Sequence, residues 1–242
     1  MTRFEFDDIG SGPPLLLLHG FPTTRRLWKG VAPRLVSAGV RVIAPDLLGY
    51  GDSPGEADLG MKAQASALLE LLDELGVQRI AVVAHDVGTA AAQILTVRAP
   101  ERVRRLVLMD GVYETDWAMD AVESIREWDL EQAARLQPVL ARRLRSIREL
   151  LGAYAGDEGG RRLIHAARCL DPRETSGITA RLRATGVSVR VIWGADDAYL
   201  PLATVGRPLA DALGVPLKVL PGGHFLPLDN AEAVAVELLL DA

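Results

Sequence analysis

The stretch RIAVVAHDVGTAAAQILT, residues 79–96, constrains the fold more than any other part of the chain. An apolar run, RIAVVA, passes through Ala84-His85-Asp86-Val87-Gly88 directly into a segment rich in alanine. Apolar runs with few polar breaks suit a strand covered on both faces, and the alanine-rich segment suits a helix packed closely on it. A small-x-nucleophile-x-small turn between strand and helix holds its central residue, here Asp86, in a strained conformation with its side chain projecting from the sheet edge. Ala84 and Gly88 are small because strand and helix approach closely there. The N-terminus of the following helix favours an anion.

The same strand-then-helix pattern recurs along the chain. Phe4-Glu5-Phe6 alternates and is followed by a Gly10–Pro13 turn. Strand candidates follow at 15–18, 40–44, 79–84, 103–109, 187–193 and 216–220, with helical periodicity at 61–75, 87–99 and 230–240 and Asn230 as a candidate N-cap. Such alternation predicts an α/β fold with a largely parallel sheet. Residues 113–183 break it. They carry only helical pattern, including a Leu140, Leu144, Ile147, Leu151 stripe interleaved with Arg142, Arg143, Arg145 and Arg148. The organisation expected is a core of 1–112 and 184–242 with 113–183 inserted as a helical cap. A solvated face is the simplest account of the arginines within it.

Composition excludes several classes of function. Lys plus Arg total 27 against 32 for Asp plus Glu, a formal charge of −5, which lacks the basic footprint of a nucleic-acid binder. A single cysteine, Cys169, permits no internal disulfide and no cysteine-based metal cluster, and the four histidines are too dispersed for a local ligand pair. The N-terminus has no basic-then-apolar signal, and the apolar run Leu15–Leu18 is far too short to span a bilayer. The expectation is a soluble cytoplasmic protein acting on a small molecule. It needs no metal or cofactor and binds neither nucleic acid nor membrane, and its oligomeric state is open between monomer and homodimer.

Four further motifs stand in order around the Asp86 turn. They are Leu18-His19-Gly20-Phe21-Pro22, Asp46-Leu47-Leu48-Gly49-Tyr50-Gly51-Asp52-Ser53, Trp193-Gly194-Ala195-Asp196-Asp197 and Gly222-Gly223-His224-Phe225. With these five motifs the chain resembles the α/β-hydrolase superfamily over nearly its whole length. The resemblance implies a mostly parallel eight-stranded sheet with helices on both faces and a helical cap. It also implies the order nucleophile, acid, histidine. His19-Gly20-Phe21-Pro22 with His85-Asp86 is most similar to the branch with an aspartate nucleophile: epoxide hydrolases, haloalkane dehalogenases and fluoroacetate dehalogenases.

The chemistry of that branch explains the aspartate. Attack at saturated carbon needs a nucleophile already ionised at neutral pH, and a carboxylate is one. The product is an ester of Asp86, and a base must activate water to cleave it. The resemblance assigns that role to His224, oriented by Asp197, with the backbone N–H groups of Phe21 and Val87 stabilising the oxyanion. Asp196 and Asp110 are the rival acids; the G-x-x-D spacing from Gly194 selects Asp197. His19 and His85 read as packing and hydrogen-bonding residues.

For the leaving group, Val87 offers no donor where haloalkane dehalogenases usually have Trp. Thr89-Ala90-Ala91-Ala92 lacks the arginines of fluoroacetate dehalogenases. The resemblance to epoxide hydrolases turns attention to Tyr154 and His165 in the cap, with Tyr113 at its entrance, as proton donors; the bland alternative is idle surface residues. Trp117 and Trp128 are expected to wall the pocket or pack the cap. The leading reading is an epoxide hydrolase-like enzyme on a small organic substrate. A haloalkane or haloacid dehalogenase, a lyase, cyclase or isomerase using Asp86 as acid/base, and an inactive ligand-binding module are the alternatives.

Overall fold

The computed structural model describes residues 4–55, 58–115, 117, 119–135, 147 and 149–240. Seven strands form one sheet: β1 (Phe6–Ile9), β2 (Pro14–Leu18), β3 (Arg41–Pro45), β4 (Ile80–Asp86), β5 (Val103–Gly111), β6 (Ser188–Gly194) and β7 (Leu217–Leu220). Their order is β1-β3-β2-β4-β5-β6-β7, parallel except for β1, which runs antiparallel to β3. The expected eighth strand is not present among the described residues. The strand candidates read from the sequence number seven, as do the strands among the described residues, and β1 pairs with β3 rather than with its neighbour in sequence.

The connections place the helices. The chain steps one way along the sheet from β2 to β3 through α1 (Ala32–Ser37), then the other way through α2 (Met61–Glu74) to β4 and through α3 (Gly88–Arg98) to β5. Right-handed crossovers therefore put α1 on one face and α2 and α3 on the other. With both faces covered, every residue of β4 is buried, the physical basis of its unbroken apolar run. The step direction reverses between β2 and β4. Ligands of open α/β sheets bind in the crevice beyond the carboxyl ends of strands at such a reversal. In register, Leu18 lies beside Ala84, so the segment leaving β2 arches over Asp86.

Between β5 and β6 the described residues form helices and turns and no strand of the main sheet. The longer ones are α4 (Asp120–Arg126), α5 (Gly156–Cys169) and α6 (Ile178–Ala184), with a 3-10 turn at Leu150–Tyr154. Of the expected stripe, Ile147 and Leu151 are buried; Leu140, Leu144 and the arginines between them lie outside the described residues. Glu114 clasps the two ends of this segment. It adopts φ 48°, and its carboxylate accepts the N–H groups of Gly177 at 2.6 Å and Thr179 at 2.9 Å, at the start of α6. Further contacts tie the segment to the sheet layer. Glu174 accepts the Met61 and Lys62 N–H groups that open α2, and Arg162 of α5 donates to the carbonyls of Gly51 and Ser53. After β6, α7 (Arg207–Leu213) leads to β7, and α8 (Ala231–Leu239) closes the described chain, its Asn230 side chain accepting from Ala233 N–H. Among the described residues no helix is long and apolar enough to cross a membrane.

Candidate active site

Asp86 ends β4 and adopts φ 52°, a left-handed conformation that a non-glycine residue holds only when its surroundings impose it. The turn works because Gly88 has no side chain: a Cβ there would lie 2.2 Å from the His19 carbonyl oxygen. The tight neighbour is thus the end of β2 rather than β4 itself. Gly20 meets a similar constraint, since its Cβ would stand 2.5 Å from both Cβ and Oδ2 of Asp86. The two glycines let the segment after β2 close down on the carboxylate. Phe21 N–H donates to Asp86 Oδ2 at 2.8 Å, and the Val87 N–H beside the carboxylate favours its ionised form.

His19 holds that segment in place. Its Nδ1–H donates to the Gly20 carbonyl at 2.9 Å, and its Nε2 accepts Leu47 N–H at 2.9 Å, which fixes one neutral tautomer. Burial pushes this imidazole below its ordinary value, consistent with a neutral ring.

Two loops at the ends of β6 and β7 complete the cluster. Asp197 Oδ1 accepts the backbone N–H groups of Tyr199 and Leu200, both at 2.8 Å, which turns Oδ2 toward His224 Nδ1 at 2.9 Å. The other ring nitrogen, Nε2, lies 3.8 Å from Asp86 Oδ1. Burial pushes His224 down, but the hydrogen bond to Asp197 and the charges of Asp86, Asp197 and Asp110 outweigh it and hold the imidazole at about 8. Burial also pushes the Asp86 carboxyl above its ordinary value, opposed by His224 and by the Val87 and Phe21 N–H groups. Asp110 makes no hydrogen bond to His224: its Oδ1 accepts Gly194 N–H at 2.6 Å, and burial holds its carboxyl well above the ordinary range.

A model of the α/β hydrolase fold matches residues 13–150, more than half of the chain. The chain belongs to this family. An uncharacterized protein of Mycobacterium tuberculosis is 28% identical across 98% of this chain and 77% of its own length. Over shorter stretches, a haloalkane dehalogenase of Mesorhizobium japonicum is 41% identical, covering 42% of this chain and 33% of that protein. Epoxide hydrolase 3 of Siraitia grosvenorii is 39% identical, covering 43% and 34%. Among solved structures, an α/β hydrolase fold protein from Burkholderia ambifaria superposes with a TM-score of 0.82 at 25% identity, covering 98% of this chain and 93% of that one.

In this α/β hydrolase, Asp86, Asp197, His224, Phe21 and Val87 converge, whereas the cap candidates scatter. Trp117 is buried, and its indole N–H donates to the Glu114 carbonyl at 3.1 Å and to Thr175 Oγ1 at 2.9 Å. Trp128 and His165 line a groove of about 530 Å³ on the cap with Arg161, Ile164 and Arg168, and none of Asp86, Asp197 or His224 borders it. Tyr113 is half-buried just beyond the end of β5. Tyr154 is fully buried, and its hydroxyl has no hydrogen-bond partner among the described residues. Sequence reasoning passed over two aromatic neighbours of the cluster. Tyr199 lies with its ring 5.3 Å from that of His224, and Tyr50 packs edge-on against His19 at 5.4 Å and Phe21 at 6.3 Å. Tyr50 was legible only as part of the motif Asp46–Ser53, and Tyr199 carried no signal at all.

Proposed function

We propose that this chain is a hydrolase in which Asp86 is the nucleophile, acting on small epoxides through an alkyl-enzyme ester. The observation that carries the reading is the unequal setting of the two oxygens of one carboxylate. Oδ2 accepts the Phe21 N–H at 2.8 Å, and Oδ1 is left facing His224 Nε2 at 3.8 Å. Oδ1 attacks an epoxide carbon, the carbon–oxygen bond of the ring breaks, and the ring oxygen takes a proton. Tyr154 is the proposed donor: its buried hydroxyl has no hydrogen-bond partner among the described residues, and Tyr50 feels the charge of both Tyr154 and Asp86. His224, oriented by Asp197, then takes a proton from water, and the hydroxide attacks the Asp86 carboxyl carbon. The resulting oxyanion sits on Oδ2, where the Phe21 and Val87 N–H groups receive it. Collapse releases the diol and restores the carboxylate, and the His224 proton returns to the Tyr154 phenolate through solvent.

Val87 brings no side-chain donor for a halide, and the Trp117 N–H is already engaged, which favours an oxygen leaving group over a halide. Haloalkane dehalogenation is the second reading, favoured by the stretch 41% identical to such an enzyme. A panel of small terminal epoxides, haloalkanes, haloacids and esters separates the two. The aspartyl-ester route itself is tested by a single turnover in ¹⁸O-water. The label is expected in the Asp86 side chain and not in the first equivalent of product; label in that first product overturns the route.

Gly20→Ala tests the role of the arching segment. The added Cβ meets the Asp86 Cβ and Oδ2 at 2.5 Å, so either the carboxylate or the Phe21 N–H must move. Displacements of about 1 Å at a reacting group cost on the order of 100-fold. Turnover is expected to fall by about that factor while circular dichroism stays that of the wild type. Wild-type kinetics in this variant would remove the oxyanion role from Phe21.

A further inference from the structure

We propose that His85 is a positioning residue for His224, holding the base over the Asp86 carboxylate; the proposal rests on the reading of His224 as the base. His85 and Asp86 are the last two residues of β4, and the regular ladder breaks between them, where Asp86 takes φ 52°. His85 Nε2–H donates to the His224 backbone carbonyl at 2.6 Å. The two imidazole rings lie 5.0 Å apart at a tilt of 51°. His224 sits in a loop that opens with Gly222-Gly223, where Gly222 has φ 144°, so its position depends on such outside contacts. Asp197 fixes the ring through Nδ1, and His85 fixes the main chain that carries the ring. Two consecutive residues of one strand therefore set both partners of the chemistry, Asp86 directly and His224 through its carbonyl.

His85 is suited to this because it stays neutral. It is fully buried, its Nδ1 has no hydrogen-bond partner among the described residues, and burial beside His224 holds it well below its ordinary value. The Nε2–H donor therefore persists while His224 gains and loses its proton.

The test compares His85→Phe, which keeps a ring and loses the donor, with His85→Gln, whose amide offers an N–H at similar reach. The first readout needs no substrate. The His224 imidazole is titrated by NMR, with Asp86, Asp197, Asp110, His85 and Tyr199 as the groups facing it. In His85→Phe the midpoint is expected to drop from about 8 toward the ordinary ~6.5, because the ring leaves its carboxylate partners. His85→Gln is expected to keep it near the wild-type value. The second readout follows a terminal aryl epoxide through one turnover by mass spectrometry. In His85→Phe, cleavage of the Asp86 ester is expected to slow about tenfold, as for a lost hydrogen bond, while ester formation changes far less. His85→Gln is expected to recover most of the lost rate. A His85→Phe variant that titrates and cleaves like the wild type overturns the proposal, as does equal slowing of both steps with an unchanged titration. If His85→Phe fails to fold, His85→Asn, whose amide is too short to reach the carbonyl, replaces it with the same expected outcomes. If the wild type forms no ester on Asp86, the hydrolase reading falls, and the titration alone still decides the role of His85.

Discussion

His224→Gln is expected to form the Asp86 ester and then stall. Alkylation needs an ionised carboxylate and a proton for the leaving oxygen; His224 supplies no proton in the proposed route, and its charge only assists the ionisation of Asp86. Hydrolysis needs a base for water, and loss of a general base costs typically 10²–10⁴-fold. Mixing the variant with a reactive epoxide should therefore give one equivalent of product-forming chemistry without release, and a protein mass raised by one substrate. Digestion should place the adduct on Asp86. Turnover at the wild-type rate, or an adduct elsewhere, overturns the aspartyl-ester mechanism and moves the acid/base alternatives for Asp86 ahead.

The wild-type pH dependence should carry the same logic. In the free enzyme His224 is held at about 8, partly by the charge of Asp86. Ester formation removes that charge, so the same imidazole gives up its proton more readily once it must act as a base. The sign is fixed: losing a nearby anion lowers the pKa of a cationic acid. Ester cleavage should therefore switch on at a lower pH than the free-enzyme titration of His224. Rapid-quench measurement of the cleavage step across pH, beside an NMR titration, checks this. Cleavage that follows the free-enzyme midpoint would mean that Asp86 and His224 are not coupled.

The elements that position the site were legible because each is a local pattern with one physical meaning. The β4 run is continuous because helices cover both of its faces, and the Asp86 turn needs a glycine at 88, where a Cβ would meet the His19 carbonyl. The choice of Asp197 over Asp110 came from the G-x-x-D motif that the resemblance supplies; in the structure Asp197 bonds His224, and Asp110 bonds Gly194. The eighth strand was a different kind of expectation. It came from resemblance, whereas the strand patterns in the sequence number seven, as do the strands among the described residues.

The segment between β5 and β6 was legible only in outline. Helical periodicity says that a face is apolar but not which neighbour it meets. On α5, Arg162 turns to the Gly51 and Ser53 carbonyls, while Arg161, Ile164, His165 and Arg168 line the outer groove. That choice of rotation removes His165 from the site, and no pattern within 156–169 encodes it. Glu114 was invisible for a related reason. Its partners lie at Gly177 and Thr179, more than sixty positions away, so no local pattern announces them.

Asp86→Asn is expected to abolish turnover and stabilise the protein, and the two signs together make it informative. An amide is a poor nucleophile, and loss of the attacking group should cost about 10³-fold or more. The fold loses little. Asn tolerates the left-handed region, and its carbonyl oxygen still accepts the Phe21 N–H. It also removes a cost. The folded-state pKa of Asp86 is raised by burial, so the folded protein favours the protonated form, and ionisation at neutral pH works against folding. A neutral amide has no such penalty. The gain is expected to appear as a higher Tm at pH 7. The gain should shrink as the pH falls, because the wild-type carboxyl then protonates as well. Calorimetry at pH 7 and pH 4 checks the trend, and slow return of activity by deamidation to Asp would leave it intact. A variant that loses both activity and stability would instead make Asp86 a structural anion held by Phe21, Val87 and His224, and the nucleophile would have to be sought elsewhere.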